Sequence, residues 1–180
     1  MSLILIIDRI KNKIVRSYRK AVFRKSISCP HKSFVLVDKV HLINKNVKLG
    51  KNVTLYPDVC FYGDGTIEIG NNVEIGNGTV VYSSKDGGIK IGSNVMIAAH
   101  CYITDTDHGI AAGEVMRKQK NNVAPTEIED GAWLAAGVKV LKGSKVKAGA
   151  VVGAQSLVKG EIPENAIAVG IPAKAIKYRS

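Results

Sequence analysis

The sequence predicts an all-β solenoid, a chain wound into coils of short strands, over about residues 43–158 of its 180. Three observations carry this expectation. Aliphatic residues return at every sixth position through most of that stretch. Small residues and asparagines follow them. The composition, 18 glycines with only 6% aromatic residues, suits tight turns around an aliphatic core. At 46% hydrophobic, the chain has the balance of an ordinary globular domain and the length to bury a proper core.

Residues 1–36 form a basic N-terminal segment. Residues 1–32 hold nine Lys or Arg (Arg9, Lys11, Lys13, Arg16, Arg19, Lys20, Arg24, Lys25, Lys32) against Asp8 alone, which is +8 of the net +11. The other 148 residues hold 17 bases and 14 acids, only +3, so the charge does not belong to the solenoid. No nucleic-acid-binding motif accompanies it. The apolar run Leu3 to Ile7 is stopped by Asp8, far short of the ~20 residues of a membrane span, and does not read as a secretory signal. Ile6, Ile10, Ile14, Tyr18 and Val22 fall at i+4 spacing among the bases and predict an amphipathic helix. Such a helix either caps the open end of the solenoid, packs on a neighbouring subunit, or lies on an anionic inner membrane surface.

Residues 37–161 carry the repeat. Its aliphatic positions run Ile43, Leu49, Leu55, Phe61; Ile69, Ile75, Val81; Ile91, Ile97, Ile103; and Ile128, Leu134, Val140, Val146, Val152, Val158. Within each block the step is six; between blocks it is 8 (61 to 69), 10 (81 to 91) and 25 (103 to 128). Gly70-Asn71-Asn72, Gly76-Asn77-Gly78 and Gly92-Ser93-Asn94 supply corners, because Gly and Asn tolerate positive φ. One hexad cannot bury its own face, whereas stacked coils share a continuous aliphatic column. The three cysteines (Cys29, Cys60, Cys101) include no CxxC pair, indicate neither a disulfide framework nor a zinc ribbon, and suit a reducing, cytoplasmic setting.

This repeat resembles that of the hexapeptide-repeat acyltransferases, aliphatic-[Gly/Ala]-x-x-[small]-x. The resemblance implies a single-stranded left-handed parallel β-helix of triangular section, 18 residues to the coil, with the amphipathic helix before it and a short C-terminal extension, 162–180, after it. Handedness comes from the resemblance alone, since the usual crossover rule points the other way.

The long loop, 104–127, exceeds a normal hexad by 25 − 6 = 19 residues. A structureless insertion of that length in a compact domain is usually functional. Asp107-His108-Gly109-Ile110 at its mouth, with Gln119 and Pro125 before the coils resume, is similar to the galactoside, maltose and surface-polysaccharide O-acetyltransferases. In them a histidine at this place is the catalytic base, which assigns His108 that role by resemblance. A sugar hydroxyl is a poor nucleophile, and an imidazole of pKa about 6.5 can take its proton during attack on a thioester. Asp105, Asp107 and Glu114 are all candidates to orient the imidazole.

The remaining site residues also follow from the resemblance. The backbone N–H of Ala136, in Trp133-Leu134-Ala135-Ala136-Gly137, would hold the oxyanion. Trp133 would stand beside the active site and Ala135 would border the coenzyme channel. Ala154 and Ser156 would line the pantetheine arm, mainly through backbone, while Lys174 and Lys177, around the closing Gly170-Ile171-Pro172-Ala173-Lys174, would meet CoA phosphates. Asn77, Asp105 and Gln119 would face the acceptor. Where the family reads Trp-Ile-Gly, this chain has Trp133-Leu134-Ala135, a small change that would tighten the channel.

The resemblance thus implies an acetyl-CoA-dependent O-acetyltransferase acting on a sugar hydroxyl, working as a homotrimer with sites between subunits, with no metal and no nucleic-acid partner. The alternative is N-acetylation of a nucleotide-linked amino sugar. A γ-class zinc carbonic anhydrase would need three converging histidines, and His31, His41, His100 and His108 lack the expected spacing. A non-catalytic solenoid would leave the loop, His108 and the closing motif unexplained.

Overall fold

A computed structural model of the chain describes residues 3–27 and 33–180; Cys29 and His31 lie outside the described residues. A helix, Leu3–Ser26, precedes a triangular β-helix whose strands form three parallel sheets. The first face holds Phe34–Leu36, Val53–Leu55, Glu74–Ile75, Met96–Ile97, Trp133–Leu134, Val151–Val152 and Ala166–Gly170. The second holds His41–Leu42, Cys60–Gly63, Val80–Ser83, Tyr102–Thr104, Lys139–Val140 and Leu157–Val158. The third holds Val47–Leu49, Thr66–Ile69, Gly88–Ile91, Thr126–Ile128, Lys145–Val146 and Glu161–Ile162. The chain visits the faces in that order, giving six coils and the start of a seventh, and the coil is the left-handed one of hexapeptide-repeat proteins. The last strand, Ala173–Tyr178, turns back antiparallel on Ala166–Gly170 and closes the first face.

One residue of the repeat is corrected. Leu42, not Ile43, pairs with Phe61, and Ile43 is 63% exposed. The reason is the period of two along a strand: a slip of one position turns a side chain from core to solvent. Inward residues then form three columns of buried aliphatic side chains, with Leu55, Ile75, Ile97 and Leu134 in one of them.

With the register fixed, every irregularity falls at one corner. Each step from third face to first is six (Leu49 to Leu55, Ile69 to Ile75, Ile91 to Ile97, Ile128 to Leu134), as is each step from first to second (Leu55 to Phe61, Ile75 to Val81, Ile97 to Ile103, Leu134 to Val140). The step from second to third runs 7 (Leu42 to Leu49), 8 (Phe61 to Ile69), 10 (Val81 to Ile91), 25 (Ile103 to Ile128), 6 (Val140 to Val146) and 4 (Val158 to Ile162).

The regular corners are built on left-handed residues, as at Asn52, Asn72 and Asn94, with φ of 56°, 55° and 58°. Their side chains form a ladder: the Asn52 amide donates to Asn72 Oδ1 at 3.1 Å, and that of Asn72 to Asn94 Oδ1 at 3.0 Å. The variable corner is instead braced from inside. Asn44 donates to the Gly65 carbonyl, Ser83 to Asp105, and Thr126 to the Thr104 carbonyl, all from buried positions. Among the described residues every buried side-chain polar atom has a partner, as interiors require.

Candidate active site

The widest excursion of the variable corner is not structureless. Thr106–Asp107 and Asn122–Val123 pair antiparallel, Thr106 with Val123 and Asp107 with Asn122, into a two-stranded stem. Continuing that register by one position sets His108 opposite Asn121. There Nδ1 of His108 lies 3.1 Å from Asn121 Oδ1. An amide oxygen only accepts, so Nδ1 is the donor, and in the neutral imidazole that places the lone pair on Nε2. Asn121, and none of the three carboxylates considered, orients the imidazole. Asp107 pairs with Lys142 at 3.3 Å, and Glu114 lends only its backbone carbonyl, to Gln119.

Asp105 lies elsewhere than expected. It is fully buried at the root of the stem, where Oδ2 accepts from the Ser83 hydroxyl at 2.7 Å and Oδ1 from the Ser84 N–H at 2.9 Å. It therefore ties the loop to the preceding coil and does not face an acceptor. A Cβ on Gly87 would stand 2.2 Å from Asp105 Oδ2, so this bridge needs a glycine there. Gln119 is likewise engaged within the loop. Its Oε1 accepts from the Ala111 N–H at 2.8 Å, and its amide donates to the carbonyls of Ala111 and Glu114.

His108 opens on a cleft of about 650 Å³ between this loop and the corner of the preceding coil, lined also by Ser84, Asp86, Met116, Arg117, Lys120 and Asn121. Arg117 and Lys120 are exposed and make no ion pair among the described residues, so the mouth carries positive charge beside Asp86. Sequence reasoning did not single out Asn121, Ser84, Asp86, Arg117 or Lys120. Only the hairpin register, invisible in two-residue strands, would have found Asn121.

Ala136 occupies the opposite edge of the second face. It sits in the turn Ala135-Ala136-Gly137, where the N–H of Ala135 bonds the Val152 carbonyl and that of Gly137 the Ala99 carbonyl. The Ala136 N–H between them takes no partner among the described residues; the residue itself is exposed, as is Ala154, its counterpart one coil on. A face of six residues at ~3.3 Å each is about 20 Å long, so His108 and Ala136 of one chain do not share a site.

The other expected residues are scattered similarly. Trp133 is half exposed on the first face, in a row with Met96 and Val151. Ala135 is half-buried; its carbonyl accepts from the Cys101 thiol, whose pKa burial raises. Ser156 is buried and its hydroxyl accepts from the Gly170 N–H at 3.0 Å, so its side chain is engaged within the fold. Asn77 lies at the first-to-second corner with its amide on the Pro57 carbonyl at 2.8 Å. Lys174 and Lys177 are exposed on the closing strand. Among the described residues no cluster of three or more His, Cys, Asp or Glu is placed to hold a metal; His41 contacts Asp58 instead, at 3.2 Å.

No family model matches the chain. A probable acetyltransferase of Mycobacterium tuberculosis is 38% identical over 92 residues, covering 51% of this chain and 31% of that protein. An Escherichia coli protein named for lipopolysaccharide biosynthesis O-acetyl transfer is 36% identical (49% and 50% covered), and the galactoside O-acetyltransferase of Lactococcus lactis 34% (53% and 48%). The chain spans between about a third and a half of the length of these relatives. Among solved structures, the N-acyltransferase AntD of Bacillus cereus, in complex with dTDP and 3-hydroxybutyryl-CoA, superposes with a TM-score of 0.79 at 18% identity, covering 89% of this chain and 88% of that one. A hexapeptide-repeat acetyltransferase of Vibrio cholerae complexed with acetyl coenzyme A gives 0.60 at 23% identity, over 90% and 76%. The chain thus has the left-handed β-helix of the hexapeptide-repeat acyltransferases, and its relatives in sequence are acetyltransferases.

Proposed function

We propose that this protein is a cytoplasmic acetyl-CoA-dependent acetyltransferase that acts on a sugar hydroxyl, in a saccharide or surface-polysaccharide unit, with His108 as general base. The observation that carries the reading is the fixed imidazole. Asn121 holds the Nδ1–H, leaving Nε2 as the basic nitrogen at a cleft roomy enough for a saccharide. Names of relatives in sequence, two of them O-acetyl transferases, favour a hydroxyl over an amine.

In this mechanism Nε2 accepts the acceptor's hydroxyl proton as its oxygen attacks the thioester carbonyl. The resulting oxyanion needs a preorganised donor, and the unpartnered N–H of Ala136 meets that need. Collapse expels the CoA thiolate, which the imidazolium reprotonates, so the base is regenerated. Because His108 and Ala136 lie on opposite edges of one face, the site must combine His108 of one copy with Ala136 of another. The exposed apolar tip of the loop (Ile110, Val115, Met116) supports such a contact. A homotrimer with three equivalent sites satisfies this arrangement. Lys174 and Lys177 are available to CoA phosphates, and Trp133 to the edge of the site.

The test is an acetyl-transfer screen against hydroxyl and amino sugars, free and nucleotide-linked, run beside His108→Ala. The expected result is transfer to a hydroxyl that drops by about 10²–10⁴-fold in the variant. Transfer to amino sugars alone would replace the acceptor class by the N-acetyl alternative. Turnover unaffected by His108→Ala would remove the base from the mechanism.

A further inference from the structure

The helix Leu3–Ser26 meets the solenoid along one side of its last turns. Phe23 and Ile27 are buried, the Phe23 and Phe34 rings stand 5.7 Å apart, Lys20 lies 5.0 Å over the Phe34 ring, and Arg19 pairs with Asp38. Phe23 is nine residues on from Ile14, which is two and a half turns, so Ile14 lies on the opposite side of the helix. The apolar row is accordingly uncovered, with Ile10 54%, Ile14 63% and Tyr18 70% exposed. A helix in a globular protein ordinarily buries this stripe; here it docks by the other side.

The charges discriminate among occupants. The helix carries eight bases and one acid, Asp8, and Arg9, Lys13, Arg16 and Lys20 form a basic row at i+4, i+3, i+4 spacing. Two copies packed through their stripes would bring these bases together with almost nothing to offset them. Strict four-residue spacing also drifts ~40° per step, so from Ile6 to Val22 the stripe sweeps about 160°. That is a broad arc, not the narrow 3.5-residue seam that joins two helices. No helix among the described residues is long and apolar enough to cross a membrane, so an apolar arc flanked by bases fits a helix lying in the plane of a surface.

We propose that this helix is a membrane-surface anchor. It rests in the headgroup region of an anionic bilayer, with Ile10, Ile14 and Tyr18 toward the acyl chains and Lys11, Lys13 and Arg16 on lipid phosphates. The inference does not depend on the reaction assigned to the cleft.

Co-sedimentation of the full chain with vesicles tests it. The expected result is binding to mixed phosphatidylglycerol–phosphatidylcholine vesicles at low salt, little binding to phosphatidylcholine alone, and release at high salt. Ile10→Asp with Ile14→Asp should weaken binding at least about tenfold. Lys11→Gln, Lys13→Gln and Arg16→Gln together should weaken it by about a hundredfold, at the strength of polybasic contacts with anionic lipid. If the aspartate pair fails to fold, the glutamine triple, which touches no packed residue, decides alone. Absence of binding to anionic vesicles, equal binding to neutral ones, or binding untouched by both variants would overturn the proposal. So would a change in oligomer mass on Ile10→Asp with Ile14→Asp, which would make the row a subunit contact.

Discussion

Asn121 takes the task of orienting the imidazole, for which the sequence offers Asp105, Asp107 and Glu114, and Asp105 takes a different one. Asn121 sets the tautomer of His108 through a neutral hydrogen bond, so the imidazole gains no adjacent negative charge. Asn121→Ala should leave folding intact and lower turnover about tenfold, with Asn121→Asp recovering part of it, as steady-state kinetics would show. Asp105 is structural. Asp105→Ala would leave the half-buried Ser84 N–H without its acceptor and the Ser83 hydroxyl with the Thr66 carbonyl alone, 3.2 Å away, a loss of about 1–3 kcal/mol in chemical denaturation. His108 was legible because it stands at the mouth of the one long break in an otherwise regular repeat. Asp105 was misplaced because alignment to a family pattern says nothing of which side of a strand a residue faces. It turns inward.

At the scale of elements, the three faces differ in chemistry. The third presents ion pairs to solvent, in which Lys145 bridges Glu127 and Glu129 at 3.0 and 3.3 Å while Lys147 also bonds Glu129 at 2.7 Å. The hydrogen bond from Lys147, with those from Ala148 and Lys145, holds the Glu129 carboxyl below the usual glutamate range. A depressed folded-state pKa contributes stability above the unfolded value, near 4.3, that is lost as pH falls through the folded value. Glu129→Gln should therefore narrow the stability gap between neutral and acid pH by a small amount, at most about 1 kcal/mol for so exposed a network, measured by denaturant midpoints. The second face instead stacks Tyr62 on Tyr82, ring centroids 4.5 Å apart, beside the variable corner. Burial first, then Tyr62 and Asp105, raise the Tyr82 pKa, so its phenol stays neutral. The periodicity of six revealed the existence of these strands. It did not reveal the hairpin in the loop, whose paired strands are two residues each and alternate nothing.

Across the whole molecule, the repeat was the most legible feature because each coil must satisfy the same geometric condition as its neighbours. A coil's contribution is correspondingly local: Leu134→Ala in the fifth coil should cost about 2–5 kcal/mol, read in thermal unfolding, and loosen the C-terminal coils first. Replacing residues 108–121 by a two-residue turn closing the stem should instead keep the β-helix folded while abolishing transfer and weakening the subunit contact proposed for the loop tip. Circular dichroism and an activity assay on the same sample distinguish the two variants.

The confinement of every irregular step to one edge has a further consequence. Coils are joined by their three ladders and by the buried braces at the root of that corner, so chain added beyond those braces is silent to the rest of the stack. Closing a longer loop adds only about 0.6 kcal/mol for each doubling of length. Body and recognition are thereby decoupled: what such a molecule accepts can change by lengthening or shortening successive segments along a single vertical seam, while the column of Leu55, Ile75, Ile97 and Leu134 remains as it is.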